Sequence, residues 1–105
     1  MDMDYIRQQL TESAAVKNSI AAGCSQQIRD ASEAILRTFR GGHKLLICGN
    51  GGSAADAQHI ATELVIRMSI ANRPALPAIA LTTDSSALTA GGNDIGFDNV
   101  FSRQV

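Results

Sequence analysis

The sequence predicts an α/β fold, a three-layer αβα, doubly wound parallel sheet that is here incomplete and is preceded by N-terminal helices. Three observations predict it. Two short apolar runs, KLLIC at 44–48 and PAIAL at 77–81, have the continuous character of strands covered on both faces. Between them a glycine turn opens a segment with helical periodicity, so strand, helix and strand make one βαβ unit with parallel strands and a right-handed crossover. Two parallel strands leave both sheet edges and much apolar surface bare, so the chain is expected to be the first half of a larger domain.

The elements follow in order. Over about 4–22, Ile6, Leu10 and Ala14, with Ile20 and Ala21 later, fit a helix whose thin apolar stripe is expected to pack on something outside this chain. Ser25 is expected to cap a second helix, in which Ile28, Ala31, Ile35, Leu36 and Phe39 form the stripe and Gly41-Gly42 ends it. Residues 1–42 are therefore expected to be a helical segment for packing and oligomerisation, and 43–105 the first half of the α/β domain. After the second strand, TTDSSALTAGGNDIGFDNVFSRQV predicts a short helical piece, a glycine turn at Gly91-Gly92 and the start of another helix from about Asp98.

Composition narrows the function classes. At 105 residues the chain has the size of one folding unit or a piece of one. Apolar residues make up 45% of it, with one Tyr, three Phe and no Trp, so Ala, Ile, Leu and Val must build the core. A net charge of -1, with both signs scattered, argues against a basic face for nucleic acid. Cys24 and Cys48 stand far apart without a CxxC pair, which predicts two buried, reduced thiols. The N-terminus has no apolar signal region and no run reaches the length of a membrane span, so a soluble, cytoplasmic protein away from the membrane is expected.

The turn GNGGSA at 49–54 admits several readings. It lacks the Lys-Ser/Thr of a Walker A loop. Gly49, Gly51 and Ala54 fit the dinucleotide pattern G-x-G-x-x-A, but the candidate ribose-binding acid, Asp84, comes too late in the chain. More generally, glycines at the carboxyl end of a parallel strand let a polar ligand approach the backbone while Ser53 caps the helix. A tight turn and nothing more remains open.

On the helix behind the turn, Ala54, Ala57, Ala61, Leu64, Val65 and Met68 fall on one stripe, and Asp56, His59, Glu63 and Arg67 on the opposite side. The second group can be a solvated face with pairs such as Glu63 with Arg67. Alternatively, His59 and Glu63, one turn apart, can project to a common point, where they could hold a divalent metal or transfer a proton. Spacing does not choose between these.

CGNGGSAADAQHIATEL, followed by NRPALPAIAL and GNDIGFDNVFSRQV, resembles the N-terminal half of the phosphoheptose isomerase family on the sugar-isomerase (SIS) fold. The resemblance implies conversion of sedoheptulose 7-phosphate to glycero-manno-heptose 7-phosphate for lipopolysaccharide heptose, in cytoplasmic homotetramers with sites between subunits, several of which bind zinc. It places Asn50, Gly51 and Gly52, together with Asn93 and Asp94, on the phosphorylated sugar. It places His59 and Glu63 on the metal, and Glu63 also as the base that moves the proton between adjacent carbons. Ser53 and Arg67 sit at similar positions as supporting residues, and Asp56 is left as a neighbour of the ligands. The family's phosphate-gripping Ser/Thr loop and its late Gln and His have no counterpart in this sequence, and His43, at the far end of the first strand, cannot replace them. Little turnover is therefore expected from these residues without a contribution from another polypeptide.

Two rivals are weighed against the isomerase. A non-enzymatic relative that binds the bacterial replication initiator shares the turn and an NRPxLPAIAL-like segment, but its position matching Glu63 is not acidic. An inactive scaffold that oligomerises through its N-terminal helices is the other.

Overall fold

A computed structural model describes residues 2–105 and divides them into two compact units, a first ending at Arg37 and a second, Thr38–Val105. The first unit is helical. Helix α1, Met3–Gly23, starts at Asp2, whose carboxylate accepts from the Asp4 amide as an N-cap should. Cys24 is its only interruption before α2, Ser25–Arg40. The Cys24 amide donates to the Ile20 carbonyl, closing α1, and the Cys24 carbonyl accepts from Ile28, opening α2, so one bent residue ends one helix and begins the next.

The expected cap at Ser25 is corrected, since Ser25 is already the first residue of α2. Its hydroxyl donates to the Ala21 carbonyl at 2.6 Å, one of the last-turn carbonyls of α1 that the break at Cys24 leaves without an amide partner. No residue of α1 is buried, and Leu10, Val16 and Ile28 stand exposed. Helix α2 does end at the two glycines. The Gly42 amide donates to Phe39 and the His43 amide to Thr38, the paired bonds of a Schellman motif.

The second unit carries the βαβ core. Strands β1, Leu45–Ile47, and β2, Ala78–Ala80, pair in parallel, with Leu45 opposite Ala78 and Ile47 opposite Ala80. Helix α3, Gly52–Val65, packs against both strands. Ala57 and Ala61 are buried on it, and Ala78 on β2, which is the predicted alanine stripe meeting the sheet. Small side chains let the helix lie close to the strands. The strands themselves are less covered than continuous apolar runs predict: all of β1 is half-buried and Ile79 is 48% exposed.

Three further expectations are corrected here. The predicted turn at Gly91-Gly92 lies inside helix α4, Ser85–Asp94. Gly91 serves close packing: a Cβ there would stand 3.1 Å from Cγ2 of Val100, and Val100 is 1% exposed. The helix expected from about Asp98 is instead a single 3-10 turn, Phe97–Asn99, followed by further turns to Gln104. Both cysteines are free, but exposed rather than buried, since Cys24 sits in the unpacked helical unit and Cys48 at the open end of β1. Among the described residues no helix is long and apolar enough to cross a membrane.

Candidate active site

The turn between β1 and α3 is built by backbone contact. Gly49 sits where a Cβ would lie 2.7 Å from the carbonyl carbon and oxygen of Ser53, so the end of the strand touches the first turn of the helix. Gly51, at φ 57 and ψ -120, is the N-cap of α3 and offers no side-chain oxygen. Ser53 is thus not the cap that the sequence predicts. It lies inside the helix, its amide donating to the Asn50 carbonyl at 3.0 Å, because the helix starts two residues earlier, at the positive φ of Gly51. Around Gly52 a Cβ would meet nothing within 4 Å, and Asn50 is exposed beside it.

Gly52 shares a face with the titratable residues. At about 100° per residue, Gly52, Asp56, His59 and Glu63 fall within roughly 60° of one another around α3. Gly52 and His59 are then about 10 Å apart along the axis. The open backbone at the helix start and the polar pair farther along therefore front the same side.

The structure brings His59 and Glu63 together. Nε2 of His59 stands 3.3 Å from Oε1 of Glu63, with the side chains 75% and 30% exposed. They line a depression of about 210 Å³ with Gln58 and Thr62. Gln58 also reaches out of α3, donating from Nε2 to Oγ1 of Thr82 at 3.4 Å, which ties this face to the second residue after β2.

Other predicted residues are placed elsewhere. Arg67 and Met68 lie beyond α3, which ends at Val65 with Ile66 as C-cap. The expected Glu63–Arg67 pair does not form, and His59 is the partner of Glu63. Asn93 and Asp94 are the last residues of α4, joined by a 2.8 Å bond from Asn93 Nδ2 to Asp94 Oδ1, and do not line the depression. Asp84 accepts from the Ala87 amide at 2.9 Å as the N-cap of α4, which accounts for this acid without a ribose. His43 is exposed before β1.

Arg73 is the residue the sequence reading missed. Its Nη1 donates to the carbonyls of Leu64 at 2.8 Å and Pro74 at 2.9 Å, and its Nη2 to the carbonyl of Glu63. Asn72 before it holds a left-handed φ of 61, a conformation Asn tolerates. The available signal was a helix ending without glycine and followed by Asn-Arg-Pro, which leaves carbonyls for a downstream donor.

The pair provides two donors suited to zinc, an imidazole nitrogen and a carboxylate oxygen, of the four that the ion usually takes. Among the described residues no group of three or more His, Cys, Asp or Glu could hold a metal. His59 and Glu63 fit such an ion as part of a site, with further donors coming from elsewhere.

Comparison with known proteins shows the family and the fold. The SIS domain family matches residues 8–105. The phosphoheptose isomerase of Chlorobaculum parvum is 57% identical over 101 residues, covering 95% of this chain and 48% of that protein. That of Chlorobium phaeobacteroides is 62% identical over 94 residues, covering 89% and 42%. Among solved structures, the phosphoheptose isomerase GmhA from Neisseria gonorrhoeae superposes with a TM-score of 0.84 at 44% identity, over 97% of this chain and 52% of that one. A phosphoheptose isomerase from Francisella tularensis gives 0.90 at 37%, over 100% and 55%. The chain spans about half the length of the relatives it matches.

Proposed function

Because the chain belongs to the SIS domain family, we propose that it carries one half of the active site of a phosphosugar isomerase, converting sedoheptulose 7-phosphate to glycero-manno-heptose 7-phosphate. The observation that carries this reading is the 3.3 Å approach of Glu63 and His59 on the helix face that begins at the open Gly52. The names of its relatives at 52–62% identity support the substrate class.

An aldose–ketose exchange must remove a weakly acidic proton from a carbon beside a carbonyl. In the proposed mechanism the Glu63 carboxylate takes that proton, the C–H electron pair forms the new C=C bond, and negative charge gathers on the former carbonyl oxygen. The former carbonyl oxygen then takes up a proton while the neighbouring hydroxyl gives one up, and as the C=C pair accepts the proton returned by Glu63 at the adjacent carbon, that second oxygen becomes the new carbonyl. His59 and Glu63 would hold the zinc, which when bound would offset the enediolate charge as a Lewis acid. Asn50, Gly51 and Gly52 would receive the sugar at the turn, with Ser53 supporting them. Asn93 and Asp94 would make a further contact.

The depression of about 210 Å³ is smaller than a usual ligand pocket of ~300 Å³ or more. It suits the reacting carbons alone, with the rest of an extended heptose phosphate reaching along α3 toward Gly52. The product would feed lipopolysaccharide heptose in the cytoplasm, and a homotetramer would supply residues from neighbouring subunits.

The test is Glu63→Gln in the protein as the cell makes it, assayed with sedoheptulose 7-phosphate. Turnover is expected to vanish while the assembly is retained, and chelation of the parent protein should remove activity that zinc restores. Undiminished turnover in the variant would take Glu63 out of the mechanism.

A further inference from the structure

We propose that Arg73 is a positioning residue that sets the Glu63 carboxylate by gripping the backbone from which it projects; this rests on the isomerase reading above. The last turn of a helix leaves carbonyls without intrahelical partners. In α3 the Thr62 carbonyl accepts from the Ile66 amide at 2.8 Å. The next two, Glu63 and Leu64, are taken by the two terminal nitrogens of one guanidinium. The Leu64 carbonyl also accepts from the Leu76 amide at 3.1 Å. A planar fork bridging consecutive carbonyls fixes both the position and the rotation of that turn, which a single-point donor cannot do.

The direction of the grip matters chemically. Arg73 spends its donors on main-chain oxygens, and the Glu63 carboxylate pairs with His59 instead. A guanidinium bonded directly to the carboxylate would compete for the oxygens a base must offer to a proton. Held through the backbone, the carboxylate is fixed in place and left accessible. The cation also sits at the helix C-terminus, where the peptide dipoles favour positive charge. Asn72 in its left-handed conformation and Pro74 after it set the path that returns Arg73 to the helix end.

The experiment compares Arg73→Lys and Arg73→Gln with the parent and with Glu63→Gln. Steady-state isomerisation of sedoheptulose 7-phosphate is measured with ordinary substrate and with substrate deuterated at the carbon that loses its proton. A carboxylate displaced by about 1 Å loses on the order of a hundredfold in rate. The expected result is a ten- to hundredfold fall in kcat for both variants with KM little changed, and a larger deuterium effect as proton removal becomes limiting.

Folded variants with the parent kcat would overturn the proposal. So would a loss of rate that tracks the loss of folded protein, or failure of both variants to fold, since Arg73 would then hold the fold and not one side chain. Turnover retained in Glu63→Gln would take Glu63 out of the mechanism and this inference with it, whereas a parent protein without turnover would remove the isomerase reading itself. A dead Glu63→Gln beside unaffected Arg73 variants would remove only the positioning role.

Discussion

Replacing Gly49 with Ala tests whether the turn is built by backbone contact or is merely permissive. The added methyl would lie 2.7 Å from the Ser53 carbonyl carbon and oxygen and 2.8 Å from its Cβ, whereas unstrained carbon contacts lie near ~3.5–4.0 Å. Two of those atoms belong to the backbone of the first turn of α3. That turn is held by the Ser53 amide on Asn50 and the Ala54 amide on Gly51, at 3.0 and 3.1 Å, so relief requires the helix start to move as a piece. Overpacking of this kind costs about 1–3 kcal/mol, and the rigidity of the obstacle argues for the upper end. For a unit of this size, each kcal/mol lowers the melting midpoint by about 4–8 °C, so a fall of roughly 10–20 °C is expected by calorimetry.

Gly52→Ala is the matched control. Its methyl meets nothing within 4 Å and joins the first helical turn, where Ala is favoured over Gly by up to ~1 kcal/mol, so the midpoint should hold or rise. On the proposed reading the same methyl projects onto the face shared with His59 and Glu63 and should raise KM for the sugar phosphate. An unchanged midpoint for Gly49→Ala, or an equal loss for Gly52→Ala, would refute the account of the turn.

Two other changes probe the packing behind the site. Gly91→Ala should destabilise by about 1 kcal/mol because of the 3.1 Å approach to Val100, and a double-mutant cycle with Val100→Ala should recover part of that cost; additive costs would argue against the contact. Asp84→Ala removes the carboxylate that accepts from the Ala87 amide and should cost about 1 kcal/mol in urea unfolding, with an unshifted midpoint counting against the cap.

The fold was legible wherever local pattern and tertiary packing agree. The period of Ala57 and Ala61 placed the buried side of α3, and the two apolar runs placed the parallel strands, because burial against one neighbour leaves its period in the sequence. Where a residue's role depends on a distant partner, the reading failed. Gly91 looks like a turn residue locally, yet it is a helix position kept small by Val100, nine residues later. The exposure of Cys24 and Cys48 was hidden for a related reason: residue type predicts burial only if something lies against the position.

The candidate site divides along the same line. Spacing of four on a helix brings His59 and Glu63 within reach of each other wherever α3 exists, but it offers Glu63 a second partner, Arg67, on equal terms. The choice falls to the helix end. With α3 stopping at Val65, Arg67 leaves the helical register and the acid is left to the imidazole. That end is in turn held by Arg73, through carbonyl contacts nine and ten residues back, which no local periodicity encodes. The partner of the carboxylate is thus decided by a residue outside its helix, through the main chain, and the chemistry proposed for Glu63 depends on where the helix is made to stop.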